Sequence, residues 1–472
     1  MLRYFYFLPL MLFIFVFPVN ADVQHDVQDG LYALGYKVKP DGKIGSKTTR
    51  AIKAFIDKNS SELYPDDFTK ISDTINKIII KRAVDDAKKV SWSYKSAEIS
   101  IAADNHATNV FKGLDSIKSA VRSGFNNITL TFNCSGRERI QFDAPISYPL
   151  SRRTGCLIPY AKYGDDFSAS RDATDIYISE AKKYGMTVTL KPMFLSLTRK
   201  NDHGYEYGKI PTKDFFDGNG TTFDGYIEII KRIAKYSESK NVDYLQIGTE
   251  FINLNRKIPK SNRWSNIIKN IKNEFSGKLI YAHNLGPEGS RRDMFKYKEI
   301  WKSVDYIGIN FYPSNVLNGK KYYTSAEISR AFKKASIDSG NGIKSLQKLS
   351  KLFSKKIIMT ETSFPTWRGS ANWMFRIECD YDNKGKSGWL YTEGPLASKE
   401  PSLIAAQVLA DGWYHTFKDL NFIAGANHSF WYLTWHDGTH YPEYNKLVGL
   451  GDCSRHIYKN EDLKRIISAY YK

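Results

Sequence analysis

From about residue 97 the chain alternates short apolar runs with longer stretches whose apolar residues recur at helical spacing. The apolar runs predict strands over Glu98–Ala103, Ile128–Asn133, Thr187–Lys191, Tyr244–Thr249, Leu279–His283, Tyr306–Asn310, Lys356–Thr360 and Asn427–Trp431. Between them, helical spacing covers Leu114–Ser123, Asp175–Tyr184, Phe223–Ser239, Trp264–Phe275, Met294–Lys302, Gly342–Phe353 and Leu403–Phe417. Gly124 and Gly185 stand where the first two of these helices need a stop. Eight strands separated by helices is the count of a (β/α)8 TIM barrel in the α/β class, and the expected barrel domain is 97–472.

The pattern ahead of the barrel is different. A short amphipathic stretch runs through Val23, Val27 and Leu31 to the stop Gly35, followed by the turn signal Pro40-Asp41-Gly42. A second helix capped by Ser46 carries Ala51, Ile52 and Phe55, and a third opens at Asp66-Asp67 with Ile71, Ile75 and Ile78 on one face. Together these predict a small all-α module over 22–80, joined by a linker at 81–96. Residues 1–21 read as a secretory signal peptide: Arg3 precedes the apolar stretch Tyr4–Val19, and Val19-Asn20-Ala21 offers a cleavage site. The same stretch would serve equally as an uncleaved anchor. The expected location is therefore the periplasm, the cell surface or the medium.

Export gives the four cysteines meaning, because disulfides persist outside the cytoplasm. Of the three connectivities, Cys134–Cys156 with Cys379–Cys453 would staple one insertion each near the proposed active rim; free buried thiols are the other reading. No CxxC or helical His pair suggests a metal site. The net charge of +19 in an exported chain points toward anionic wall polymers or acidic glycans, although the lysines are scattered and also simply solvate the surface. No zinc-finger, basic-zipper or RNA-binding motif is present, so nucleic acid is not an expected partner.

The chemistry is carried by two glutamates. Glu250 closes the fourth strand run and Glu361 the seventh. In a parallel barrel both strand ends reach one cavity at the carboxyl-terminal rim. A pair of carboxylates there suits glycoside hydrolysis, one as proton donor and one as nucleophile or base. Each alone has a structural reading as well, as a lysine partner or a helix cap. By position, Lys191, His283, Asn284 and Tyr312 fall at neighbouring strand ends, and Trp431 and Trp435 flank the end of the eighth. A tryptophan there could stack on a sugar face or belong to the core. The long stretch after strand seven holds Trp367, Arg368, Trp373 and Trp389, which would extend a glycan cleft or pack as a lid.

Two resemblances refine this picture. Leu34-Gly35-Tyr36, Asp41-Gly42-Lys43-Ile44-Gly45 and Thr48-Thr49-Arg50-Ala51-Ile52-Lys53-Ala54-Phe55 resemble the peptidoglycan-binding domain type 1, which implies peptidoglycan as a partner. Over some 370 residues the remainder resembles the clan A glycoside hydrolases. Within them Tyr184–Pro192, Gly248-Thr249-Glu250-Phe251, Asn310-Phe311-Tyr312-Pro313 and Thr360–Pro365 are most similar to glycoside hydrolase family 113, the β-mannanases and their relatives. That resemblance implies a retaining mechanism without metal or organic cofactor, Glu250 as acid/base and Glu361 as nucleophile. It also implies that Thr249, at a position where Asn is common in the clan, touches the reacting sugar. The expected substrate is a β-linked polysaccharide, either mannan-like or a wall or capsular glycan. The alternatives are a non-catalytic glycan-binding barrel and a peptidoglycan hydrolase.

Overall fold

The computed structural model describes residues 21–59, 62–101, 107–134, 168–194, 216–217, 226–251, 263–285, 294–312, 316–334, 336–337, 340–365, 368–372, 402–433 and 460–472. The barrel strands are β1 (Tyr94–Ile101), β2 (Asn127–Cys134), β3 (Thr187–Phe194), β4 (Tyr244–Thr249), β5 (Lys278–Asn284), β6 (Tyr306–Asn310), β7 (Ile357–Thr362) and β8 (Ile423–Leu433). A separate antiparallel pair joins Ser336–Ile337 to Gly340–Asn341. The barrel strands all pair in parallel, and β1 pairs with both β2 and β8, so the sheet closes into the expected barrel.

Alternation along each strand separates two environments. On β2, Ile128, Leu130 and Phe132 belong to the main apolar core. That core lies between the barrel and α4 (Ala107–Arg122), α5 (Ser168–Lys183), α6 (Tyr226–Ser239), α7 (Arg263–Glu274), α8 (Lys298–Ser303), α9 (Ser325–Lys334), α10 (Gly342–Phe353) and α11 (Leu403–Phe417). The opposite strand faces point into the barrel. There a small cluster of Tyr94, Ile280, Ile358 and Ala424, with Tyr244 and Tyr306 against it, forms the floor. Above it the interior is polar. The Tyr94 hydroxyl lies 3.0 Å from both Thr129 and Thr189 Oγ1, and Ser96 Oγ donates to Asn127 Oδ1 at 2.8 Å. Buried hydroxyls and amides of this kind are tolerated because they satisfy one another.

The helix ends follow local chemistry. Gly124 and Gly185 adopt φ of +86° and +69° at the stops of α4 and α5, where a side chain would be strained. At the amino terminus lie α1 (Ala21–Ala33), α2 (Ser46–Asn59) and α3 (Phe68–Asp85), the last capped by Asp67 Oδ accepting from Lys70 N–H. Ser46 is not the cap of α2: the Gly45 carbonyl accepts from Thr49 N–H at 2.9 Å, so the helix begins one residue earlier than the serine signal suggests. Helix α3 continues to Asp85, through the first residues expected of a linker. Two helices were not expected, α9 and the terminal α12 (Glu461–Tyr471).

These three helices lie directly on the barrel. The approach is close at Gly30, where a Cβ would stand 2.2 Å from Ile75 of α3 and 3.1 Å from Ile404 of α11. Buried Arg368 donates to Asp29 from Nε at 2.7 Å and from a terminal nitrogen at 3.0 Å, and to the Pro40 carbonyl at 2.9 Å. Arg368 thus serves the seam with the amino-terminal helices, while Trp367, Trp373 and Trp389 of the same stretch lie outside the described residues. So do segment 1–20, Trp435, Cys156, Cys379 and Cys453, and with them the expected disulfide pairing. Among the described residues no helix is long and apolar enough to cross a membrane.

Candidate active site

Glu250 follows β4 immediately, and its position is built from three local features. The register of β4 against β5 shifts between Gln246 and Gly248. Gly248 has no room for a side chain, since a Cβ would meet the Tyr281 ring at 2.5 Å. Glu250 itself sits at φ +59°, a left-handed conformation unusual for a residue with a side chain. Bulges and such outliers cluster at working sites, where they re-aim a side chain. Here the result is that Asn310 Nδ2 donates to Glu250 Oε1 at 2.8 Å. Asn310 is oriented in turn by Thr360, whose hydroxyl donates to Asn310 Oδ1 at 2.7 Å.

Asn310 also connects the two glutamates. After a second register shift, on β6 against β7, Asn310 stands opposite Glu361. Both oxygens of Glu361 are held: Lys191 Nζ lies 2.7 Å from Oε1 and the Tyr312 hydroxyl donates to Oε2 at 3.1 Å. Burial disfavours the Lys191 cation, but the charges of Glu361 and Glu98 outweigh burial and raise its pKa above the usual lysine value. Tyr312 is buried, and the charges of Glu361, Glu98 and Glu250 add to that burial, so its hydroxyl keeps its proton far above the usual range.

Glu98 is the residue that sequence reasoning missed. Its carboxylate is buried inside the barrel on β1, with Oε2 3.1 Å from Lys191 Nζ and 2.5 Å from Asn427 Nδ2 of β8. Asn427 Nδ2 also donates to the Thr360 carbonyl at 3.0 Å. The signal available was a glutamate opening the expected run Glu98–Ala103, in step with Ser96 and therefore on the interior face. Asn310, Thr360 and Asn427 were likewise part of the strand runs without an assigned role.

The remaining expected residues are placed as follows. Thr249 is buried, and its Oγ1 accepts from Gln246 Nε2 at 2.5 Å. Asn284, opposite Asn310 at the end of β5, is buried on the same strand face as Ile280 of the floor. His283 is set apart from this group: it lies on the same face as Tyr281, which packs on Trp264 and Trp301 in the helix layer, and its own ring meets Tyr297 at 5.3 Å. Trp431 belongs to β8. The structure therefore brings together Lys191, Glu250, Asn310, Tyr312 and Glu361, with Glu98 beneath them. Chemically, the group offers one carboxylate that accepts from an ammonium and a phenol, and another that accepts from an amide.

The sequence profile of Glycoside Hydrolase Family 113 matches residues 158–396, about half of the chain, and this segment carries Lys191, Glu250, Tyr312 and Glu361. No curated protein matches the chain. Among solved structures, a β-1,4-mannanase of family 113 in complex is 14% identical, with 81% of this chain and 99% of that chain covered at a TM-score of 0.49. The family 113 β-mannanase of Alicyclobacillus acidocaldarius is 15% identical, with 82% and 98% covered and a TM-score of 0.49. A β-D-glucuronidase of Dictyoglomus thermophilum is 12% identical, with 72% and 44% covered and a TM-score of 0.39. Likeness at these values is remote, and the assignment rests on the profile together with the closed eight-stranded barrel: the chain belongs to Glycoside Hydrolase Family 113 and is a glycoside hydrolase.

Proposed function

We propose that this protein is an exported, retaining glycoside hydrolase that cleaves a β-linked polysaccharide, mannan-like or from the bacterial wall or capsule. The observation that carries the reading is the pair of rim glutamates joined through Asn310, which donates to Glu250 and stands opposite Glu361. Glu361 accepts from a lysine and a tyrosine that both keep their protons, two donors that hold its oxygens in place for attack. Glu250 receives an amide N–H from Asn310 on Oε1, and the reading assigns it the part of proton donor.

In the first step a Glu361 oxygen bonds to the anomeric carbon as the glycosidic bond breaks, and the departing oxygen takes the proton from Glu250. In the second, the Glu250 carboxylate accepts a proton from water as that water displaces Glu361 from the sugar. Thr249 and Asn284, buried at the ends of β4 and β5, are the proposed polar contacts to the sugar. The amino-terminal helices and the basic surface favour an anionic or wall-associated glycan, and the segment 1–21 would direct export.

The test is release of new reducing ends from β-mannans, β-glucans and purified peptidoglycan by the wild type and by Glu361→Gln. A signal on one polymer that disappears in the variant supports the reading and identifies the substrate class. Equal signals from both proteins, or none from either, would sink it.

A further inference from the structure

We infer that Glu98 is a positioning residue for the nucleophile: it is the counter-ion that keeps Lys191 compensated while Glu361 is esterified. The inference rests on the double-displacement reading. In the resting site one buried ammonium faces two carboxylates, Glu361 Oε1 at 2.7 Å and Glu98 Oε2 at 3.1 Å. A buried ion pair alone would need only one of them. The second has its own support, since Asn427 fixes Glu98 from β8 and the side chain is only 5% exposed.

The step itself shows why. When Glu361 bonds to the anomeric carbon, its negative charge is lost, the carbon–oxygen bond to the leaving group breaks, and the leaving oxygen takes the Glu250 proton. The anion has in effect moved from the end of β7 to the end of β4. Lys191 stays where it was, 2% exposed and unable to follow the charge. Without Glu98 it would become an isolated buried cation at the moment the glycosyl-enzyme forms, and an uncompensated buried charge is strongly unfavourable. With Glu98 present the site passes from one excess anion to a neutral pair. Glu98 lies on β1, ahead of the segment matched by the family profile.

Glu361→Gln mimics the esterified, uncharged nucleophile, which permits a test without turnover. The melting temperatures of full-length wild type, Glu98→Gln, Glu361→Gln and the double variant are compared from pH 7 to pH 10. The groups facing Lys191 are Glu98 from β1 and Glu361 from β7, with Tyr312 beyond β6 and Glu250 beyond β4 completing the charged surroundings. Each single variant leaves Lys191 one partner and should melt close to wild type. The double variant should melt roughly 5–10 °C below the sum of the single shifts. Its deficit should shrink as pH rises, because a buried lone lysine binds its proton less well folded than unfolded. Adding Lys191→Met to the double variant should restore stability. Additive, pH-independent shifts would overturn the inference. Should the double variant give no folded protein, the triple variant with Lys191→Met must fold, and its failure would overturn the inference as well.

A kinetic arm uses dinitrophenyl 2-deoxy-2-fluoro-β-mannoside and the corresponding glucoside, with the glycosyl-enzyme followed by mass. Glu98→Gln should slow its formation on the order of 100-fold with little change in half-saturation, and an unchanged rate would overturn the inference. A wild type that forms no adduct counts against the double-displacement reading, while the melting series still decides whether Glu98 is the counter-ion.

Discussion

Two buried charge clusters differ in one respect that separates their purposes. At the seam between the amino-terminal helices and the barrel, Arg368 and Asp29 form a balanced, two-pronged pair, with a carbonyl taking a further donor. Inside the barrel, Lys191 meets two carboxylates and the cluster carries an excess negative charge. A balanced pair has nothing to gain from a change of charge and acts as a fixed joint. An unbalanced one is prepared for a reaction in which one charge disappears. On the proposed mechanism, net charge more than burial or distance distinguishes the two clusters.

The largest expected effect tests the barrel cluster. Glu361→Gln should lower turnover on the order of 10⁴-fold, measured by reducing ends, while its melting temperature stays near wild type because Glu98 still pairs Lys191. A large loss of stability would show that this cluster is as rigidly structural as the seam.

A third buried site supplies an uncharged reference. His428 accepts or shares protons with Tyr414 and Tyr471 at 2.9 and 2.8 Å, and burial pushes its pKa from 6.5 down to about 3. Its folded pKa is depressed, so the unfolded chain binds the extra proton as pH falls below 6.5. The stability tied to keeping it neutral is full above that value and is lost progressively toward pH 3, by roughly 4–5 kcal/mol. Thermal melts at pH 7 down to pH 4 should show this decline in the wild type and a shallower one in His428→Gln.

At the seam, Arg368→Met leaves Asp29 buried without its cation and should cost about 3–5 kcal/mol in chemical denaturation. Adding Asp29→Asn should recover part of that loss, and turnover of the folded protein should stay at the wild-type level. The smallest effect belongs to the more exposed part of the same seam, where the Tyr32 hydroxyl bonds Glu327 at 3.0 Å beside Lys320. Tyr32→Phe should cost about 1 kcal/mol or less by the same measurement. A loss as large as that of Arg368→Met would erase the distinction between buried and exposed contacts along the seam.

The closed barrel and the two rim glutamates were legible because they rest on local patterns: apolar runs, glycine stops and a polar residue at a strand end. Lys191 and Tyr312 were legible by position for the same reason. Glu98 was not, since its meaning depends on a lysine 93 positions away and on Asn427, 329 positions away. Periodicity reports which face a residue occupies, not who meets it there. His283 shows the converse, because an unbroken apolar run hides which parity points inward; its packing on Tyr297 resolves the question. The amphipathic α9 was legible but missed: Thr324-x-x-Glu327 is a capping box, with Glu327 N–H donating to Thr324 Oγ1 at 3.1 Å and Thr324 N–H to Glu327 Oε2 at 2.9 Å, and Ile328 and Phe332 are buried. The docking of the amino-terminal helices depends on Arg368 reaching Asp29 across 339 positions, which no linker signal conveys.

The ring-lined floor of the barrel has a consequence for how the enzyme responds to its surroundings. Tyr94 meets Tyr244 at 5.3 Å, and Tyr244 meets Tyr306 at 6.1 Å, directly below the polar layers. Dissolved ions weaken attractions only where they can gather around the charges. Sodium chloride should therefore weaken the grip of the exposed lysines on an anionic polymer while leaving the Lys191 pairing intact. On the proposed reading, capture of an anionic glycan and its cleavage would answer to salt separately.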